Sequence, residues 1–222
     1  MEFIAGDIFY LHQHGNYLIF KLLVNEEEFE CYHLLSYQPM TELPEEIDIE
    51  ELEVYSYHSP IDSKAFSEAV FLGNYPVVAD DLIGYHEYLR QTQEPQYYVS
   101  IANEYYQTAL RLTGMNLLLE SIDEYSKAID LFPQFFEAID NRAFCKMDLG
   151  LFEEAIEDFR LSLQENPNSF LAEFSIGECY FKLGDYPNAK AQFEIAARIE
   201  PAHEGLKYYM PRVNALLDNG QT

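Results

Sequence analysis

Histidine and cysteine are the side chains whose spacing in this sequence could serve metal binding or nucleophilic catalysis. His12 and His14 alternate along a predicted strand and would lie on one face of it, but no third ligand follows at a defined spacing. Cys145 and Cys179 stand 34 residues apart, in the same column of an internal repeat, which favours small core residues over nucleophiles. We therefore predict no metal site and no cofactor.

Carboxylates are so abundant that counting them identifies no acid and base pair for a glycosidase-like reaction. The sequence contains no GxSxG, GxGxxG, P-loop, HExxH or kinase signature. The strongest pattern is instead a repeat that builds binding surfaces. We predict that the chain is not an enzyme.

Acidic residues dominate the charge balance. There are 39 Asp and Glu against 13 Lys and Arg, a formal charge of -26, which disfavours nucleic acid and anionic membranes as partners. Between residues 26 and 53 no Lys or Arg occurs, and we call the carboxylates there the acidic belt. The belt is either a solvated, edge-protecting segment or a surface that attracts a basic protein. The belt residues predicted to contact such a partner are Glu26, Glu27, Glu28, Glu45, Glu46, Asp48, Glu50, Glu51 and Glu53.

The first twenty residues show neither a basic start nor a long apolar run, so we expect no signal peptide and no membrane span. Cys31, Cys145 and Cys179 form no CxxC pair, which argues against a disulfide framework or a zinc site. Reduced, buried cysteines are typical of a cytoplasmic protein. A cytoplasmic location is therefore predicted.

Residues 1–62 have the pattern of a small antiparallel β domain. Short runs rich in aromatic and branched residues cover residues 8–11, 17–24, 29–37 and 52–57. Gly15-Asn16 joins the first two runs as a hairpin. Residues 63–101 are predicted to be a helical connector, because residues 77–92 place their apolar side chains on one helical face.

A period of 34 residues organises the rest of the chain. Residues 102–135, 136–169 and 170–203 align without a gap. The repeated columns are small (Ser121, Ala155, Ala189 and Ala128, Ser162, Ala196), aromatic (Tyr125, Phe159, Phe193) or proline (Pro133, Pro167, Pro201). Small residues let two helices approach closely and proline ends the second helix, so each unit is predicted to be a helical hairpin. Residues 204–222 are predicted to form a capping helix, with Pro211 as the candidate position for a bend.

The third unit resembles the tetratricopeptide repeat family. Its turn reads Gly184-Asp185-Tyr186-Pro187, and the first unit departs from the pattern by having Asn116 at the turn glycine. The resemblance implies an α+β chain in which a front β domain precedes an all-α solenoid of three hairpins and a cap. It also implies a concave groove lined by Asn103, Tyr106, Leu110, Glu137, Asp140, Asn141, Phe144, Phe174, Glu178 and Lys182.

One subgroup of that family holds the terminal carboxylate of a chaperone peptide with lysines, an arginine and asparagines. The corresponding positions here include Tyr106, Leu110, Leu171 and Ser175, none of which is a cation. We therefore expect no chaperone-tail binding. An aromatic and acidic groove suits a basic or apolar segment instead.

The front of the chain resembles the small β immunity domains of bacterial polymorphic-toxin systems, over residues 6–9, 17–20, 32–35, 43–44 and 54–60. This resemblance implies a bacterial protein that neutralises a basic toxin by occluding its active surface. The alternative is a general adaptor that uses only its repeat groove to bind a segment of another protein. Both hypotheses predict a protein partner, and both allow a monomer or a weak homodimer.

Overall fold

The computed structural model describes residues 3–43 and 48–219. Two carboxylates of the acidic belt, Glu45 and Glu46, lie outside the described residues, as does the side chain of Glu50. Within the part of the chain that is described, no helix is both long enough and apolar enough to cross a membrane.

The chain divides into two compact units, Met1–Tyr98 and Val99–Thr222. The first contains an antiparallel sheet and the second is entirely helical. The predicted α+β class, with a β domain in front of helical hairpins, is therefore confirmed.

The sheet of the first unit has five strands. In chain order they are β1 (Asp7–Gln13), β2 (Asn16–Glu26), β3 (Cys31–Tyr37), β4 (Val54–Asp62) and β5 (Val70–Asn74). Their order in the sheet is β4-β3-β2-β1-β5, and all neighbours are antiparallel. The strand β5 lies inside the segment predicted to be a helical connector, so that part of the prediction is wrong. A five-residue edge strand is too short to show a period of two.

The turn between β1 and β2 consists of His14 and Gly15, because Gln13 pairs with Asn16. Both turn residues have positive φ, 51° and 80°, as a type I′ turn requires. The turn therefore lies one residue earlier than predicted. As a result His14 sits in the turn while His12 stacks on Tyr17 at 4.5 Å, and the two imidazoles do not share a strand face.

Each face of the sheet is covered. Phe3 and Phe66 pack on Phe9, Leu22 and Leu34 on one face. Helix α1 (Ile83–Thr92) covers the other face with buried residues that include Leu89.

Two contacts hold α1 and the segment before it close to the strands. A Cβ at Gly84 would lie 2.8 Å from the Tyr57 backbone, so only glycine allows this approach. The Lys21 ammonium, which is almost fully buried, contacts Asp81 at 2.6 Å and donates to the Pro76 carbonyl at 2.9 Å. Lys21 therefore ties β2 to the segment before α1.

The second unit is a series of helical hairpins. The helices are α2 (Pro95–Gly114), α3 (Leu118–Leu131), α4 (Phe136–Asp148), α5 (Phe152–Glu165), α6 (Phe170–Leu183), α7 (Tyr186–Ile199) and α8 (Glu204–Asn219). Helices α2 with α3, α4 with α5 and α6 with α7 form the three hairpins, and α8 packs against α7. Helix α8 continues through Pro211 without an interruption.

The repeated columns form the core of the hairpins. The three aromatic residues Tyr125, Phe159 and Phe193 are fully buried, and so are the small residues of the two columns beside them. Gly177 shows why small residues are needed, because a Cβ there would lie 2.5 Å from the Phe193 ring. Each hairpin therefore packs a ring from its second helix against a small residue of its first helix.

Candidate functional site: the groove face of the first helices

The predicted groove residues lie on the first helix of each hairpin, at equivalent positions. Their exposure differs. The exposed ones are Asn103, Leu110, Glu137 and Lys182, the half-buried ones are Tyr106, Asn141, Phe144 and Glu178, and the buried ones are Asp140 and Phe174. Only the first two groups can contact a partner without a rearrangement.

A polar pair joins the first two hairpins at this face. Asn141 Nδ2 donates to the Tyr106 hydroxyl at 3.1 Å, which links α4 to α2. The Tyr106 ring also packs on Phe135, with 4.8 Å between the ring centroids. Burial raises the pKa of Tyr106, so the hydroxyl stays protonated and can both donate and accept.

Asp140 occupies the position that is Tyr106 in the first hairpin and Phe174 in the third. Its Oδ1 has no hydrogen-bond partner among the residues that the structure describes. Burial raises the pKa of this carboxyl, the nearby Glu137 raises it further, and the Ser162 hydroxyl acts in the opposite direction. A buried carboxylate without a counter-ion destabilises the fold when it is ionised.

The third hairpin is covered by α8, which changes the role of its groove residues. Phe174 stacks on Phe170 at 5.5 Å and meets Tyr209 edge to face at 5.8 Å, so it belongs to the core and not to the binding face. The Tyr209 hydroxyl lies beside Glu178, whose carboxyl pKa burial raises. The groove face that remains open is therefore mainly that of the first two hairpins.

The cations near this face are already engaged. Arg142 binds Asp158 through two nitrogens, at 2.9 and 2.7 Å, and Lys146 contacts the same carboxylate at 2.7 Å. Leu171 and Ser175 stand where a carboxylate clamp would need cations. This part of the groove is therefore acidic and aromatic, as the sequence predicts.

The acidic belt is not one continuous surface. Glu26, Glu27 and Glu28 lie at the end where β3 begins, while Glu53 lies beside its other end, where Tyr37 pairs with Val54. The strand between them is seven residues long, roughly 20 Å. Of the remaining described belt residues, Asp48 and Glu51 precede β4 together with Glu53. The belt therefore consists of two separate clusters.

A buried histidine pair in the first unit was missed by the sequence analysis. His33 Nδ1 lies 2.7 Å from His58 Nε2, and Glu26 Oε2 lies 3.0 Å from His33 Nε2. The rings pack against Tyr85 and Tyr88 of α1. Burial, followed by the neighbouring His33, lowers the pKa of His58 to about 4, and Glu26 acts against this.

The pair escaped notice because its members come from three different strands, and no local spacing reveals it. Among the described residues, no group of three or more His, Cys, Asp or Glu could hold a metal ion. The cysteine of the third hairpin is equally unsuited to chemistry, because burial raises the pKa of the Cys179 thiol to about 12.

Comparisons with known proteins concern the helical unit. The family model for the tetratricopeptide repeat matches residues 136–169 and 174–203. Human DnaJ homolog subfamily C member 7 is 27% identical over 99 residues, which are 45% of this chain and 20% of that protein. The bovine Protein SGT1 homolog is 27% identical over 101 residues, 46% of this chain and 30% of that protein. The chain thus matches less than a third of the length of these relatives.

Two solved structures share the fold. The first TPR of Spaghetti (RPAP3) bound to the HSP90 peptide SRMEEVD has a TM-score of 0.51 and 23% identity, over 53% of this chain and 93% of that one. The Sgt2 TPR domain from Aspergillus fumigatus has a TM-score of 0.50 and 20% identity, over 58% of this chain and 83% of that one.

Proposed function

Because its helical unit is built from tetratricopeptide repeats, we propose that this chain is a non-catalytic adaptor that binds a segment of another protein along the first helices of its hairpins. The observation that carries the proposal is the open face of the first two hairpins. There Asn103, Leu110 and Glu137 are exposed beside the hydrogen-bonded pair of Tyr106 and Asn141. Exposed apolar and polar side chains on rigid helices are suited to holding a segment in register.

The chemistry of this face favours a basic or apolar segment. Glu137 is exposed and Asp140 lies one turn further along α4, while Arg142 and Lys146 are held by Asp158. A lysine or arginine of the partner would meet unpaired carboxylates here. A terminal carboxylate would meet no cation in the clamp positions, which distinguishes the proposed ligand from the HSP90 peptide in the related structure.

The toxin-neutralising alternative has less support. It depends on the resemblance of the front segments and on the acidic belt, and the belt is divided between the two ends of β3. The relatives that match are tetratricopeptide-repeat proteins and include none named as a toxin inhibitor among those described above. A cytoplasmic location, a basic partner and a monomeric or weakly dimeric state stay predictions.

The test is a selection of random 12-residue peptides displayed against the purified full chain, followed by affinity measurements on the selected peptides. We expect them to be rich in Lys, Arg and apolar residues. Replacing Leu110→Lys together with Glu137→Lys should weaken their binding at least tenfold, because it adds three positive charges to the open face.

The matched control is Glu194→Lys together with Ile195→Lys, which makes the same charge change at exposed positions of α7. This pair should leave the affinity within threefold of the parent. If both double variants weaken binding equally, or if neither does, the segment does not bind at the proposed face.

A further inference from the structure

Exposed apolar side chains cluster where the first two hairpins turn from one helix to the next. We call Met115, Leu117, Leu119, Leu149 and Leu151 the turn strip. Each is between 37% and 68% exposed. Leu117 and Leu151 are equivalent residues of successive repeats, as their spacing of 34 shows. An exposed apolar cluster that recurs in two repeats differs from the single exposed leucines found on most surfaces.

The two equivalent leucines stand where the fold would favour a polar residue. Leu117 and Leu151 are the N-cap residues of α3 and α5, and leucine has no side-chain acceptor for the free amides of a helix start. In the third hairpin this position is Asp185, whose carboxylate accepts from the Asn188 amide at 3.2 Å. The first two hairpins thus forgo a stabilising cap and expose a leucine in its place. A local rule broken twice at the same position indicates a function.

The two turns lie side by side. Thr113, two residues before Met115, has its Oγ1 3.5 Å from the Sγ of Cys145, which is four residues before Leu149. Ser121 Oγ lies 3.7 Å from the same sulfur. The helix ends that lead into the two turns are therefore in contact, and the turn strip runs across both hairpins. It lies at the helix ends, apart from the groove face.

Acidic side chains surround the strip. Glu120, Asp148, Glu153 and Glu154 are exposed next to its leucines, while the exposed Arg111 donates to Thr108 Oγ1 at 3.0 Å. Two copies of this chain meeting through the strip would bring these carboxylates together, which is unfavourable. A partner that is apolar along one face and basic along its borders would match both the leucines and the acidic rim.

We infer that the turn strip is a second docking surface, which binds an amphipathic helical segment of another protein with Lys and Arg flanking its apolar face. The surface goes beyond the proposed adaptor groove, because it uses different residues at a different edge of the hairpins. A chain with both surfaces can hold two segments at once, which is what an adaptor has to do.

The probe is a synthetic 18-residue amphipathic helix of Leu and Lys, titrated into the full chain while the leucine and methionine methyl signals are followed by NMR. We expect the signals of Leu117, Leu149 and Leu151 to shift. The test variant is Leu117→Asn with Leu151→Asn, which removes the exposed leucines and introduces the missing caps. It should weaken peptide binding at least tenfold while its melting temperature stays equal or rises, so a loss of binding cannot be a loss of folding.

Ile195→Asn is the control, since Ile195 is 38% exposed, like Leu151 at 39%, but lies on α7. It should leave the affinity unchanged, as should the groove variant Leu110→Lys with Glu137→Lys, which separates this proposal from the adaptor groove. The inference is overturned if the leucine-to-asparagine variant binds the Leu and Lys peptide as well as the parent, or if a Leu and Glu peptide binds equally well. It is also overturned if the parent chain sediments as a dimer that this variant dissociates, because the occupant is then a second copy.

Discussion

Asp140→Asn should stabilise the helical unit. At neutral pH the ionised carboxyl of Asp140 is 8% exposed and its Oδ1 has no partner among the described residues. A buried polar atom left without a partner costs about 1–3 kcal/mol, more when it is charged. The asparagine keeps the shape and removes the charge, while its amide can still donate to the Ser162 hydroxyl. We therefore expect the free energy of unfolding at pH 7 to rise by about 1–2 kcal/mol.

The pH dependence gives the sign of the effect. Burial raises the pKa of the Asp140 carboxyl in the folded chain above its ordinary value. Protonation therefore favours the folded state, and the penalty exists only where the carboxyl is ionised. The advantage of Asp140→Asn over the parent should be largest at pH 7 and should shrink as the pH falls through the folded pKa toward the ordinary one.

Urea unfolding of both proteins at pH 7 and pH 4, followed by far-ultraviolet circular dichroism, measures this difference. The control is Asp148→Asn, which changes an exposed carboxylate of the same helix and should stay within about 0.5 kcal/mol of the parent at both pH values. The reasoning is refuted if Asp140→Asn destabilises the chain, or if its advantage is the same at both pH values.

Three other substitutions test the packing, the caps and the histidine pair. Phe159→Ala removes a fully buried ring and should lower the free energy of unfolding by about 3–5 kcal/mol in urea titrations. Leu151→Asn should raise it by about 0.5–1 kcal/mol, whereas Asp185→Ala should lower it by about 1 kcal/mol, because only the aspartate now caps its helix. The pKa of His58 falls from 6.5 to about 4 on folding, so the first unit should lose up to about 3 kcal/mol as the pH drops between these values. His58→Gln should flatten that acid-side loss, and an unchanged profile would remove the role of the pair.

The helical unit could be predicted in detail because its determinants are local. Small, aromatic and proline columns recur every 34 residues, and each fixes a contact within one hairpin or between neighbours. Tyr125, Phe159 and Phe193 are accordingly all fully buried. The position of Phe174 could not be predicted as well, since its burial depends on how α8 lies against the third hairpin.

The first unit was less predictable because its contacts join distant residues. Four strands show aromatic and branched runs, but β5 is short and pairs with β1 across more than sixty positions of the chain. The contact of His33 with His58 and that of Lys21 with Asp81 likewise join separate elements. The acidic belt looks continuous in the sequence, yet β3 separates its two clusters in the fold.

The central claim is that the hairpins alone form the surface that binds a protein segment. The most direct measurement compares the affinity of one display-selected peptide for the full chain with its affinity for residues 95–222, after circular dichroism has verified that the shorter chain is helical. We predict that the two dissociation constants agree within threefold. Loss of binding in the helical fragment, with binding retained by residues 1–90, would contradict the account and favour recognition by the front unit.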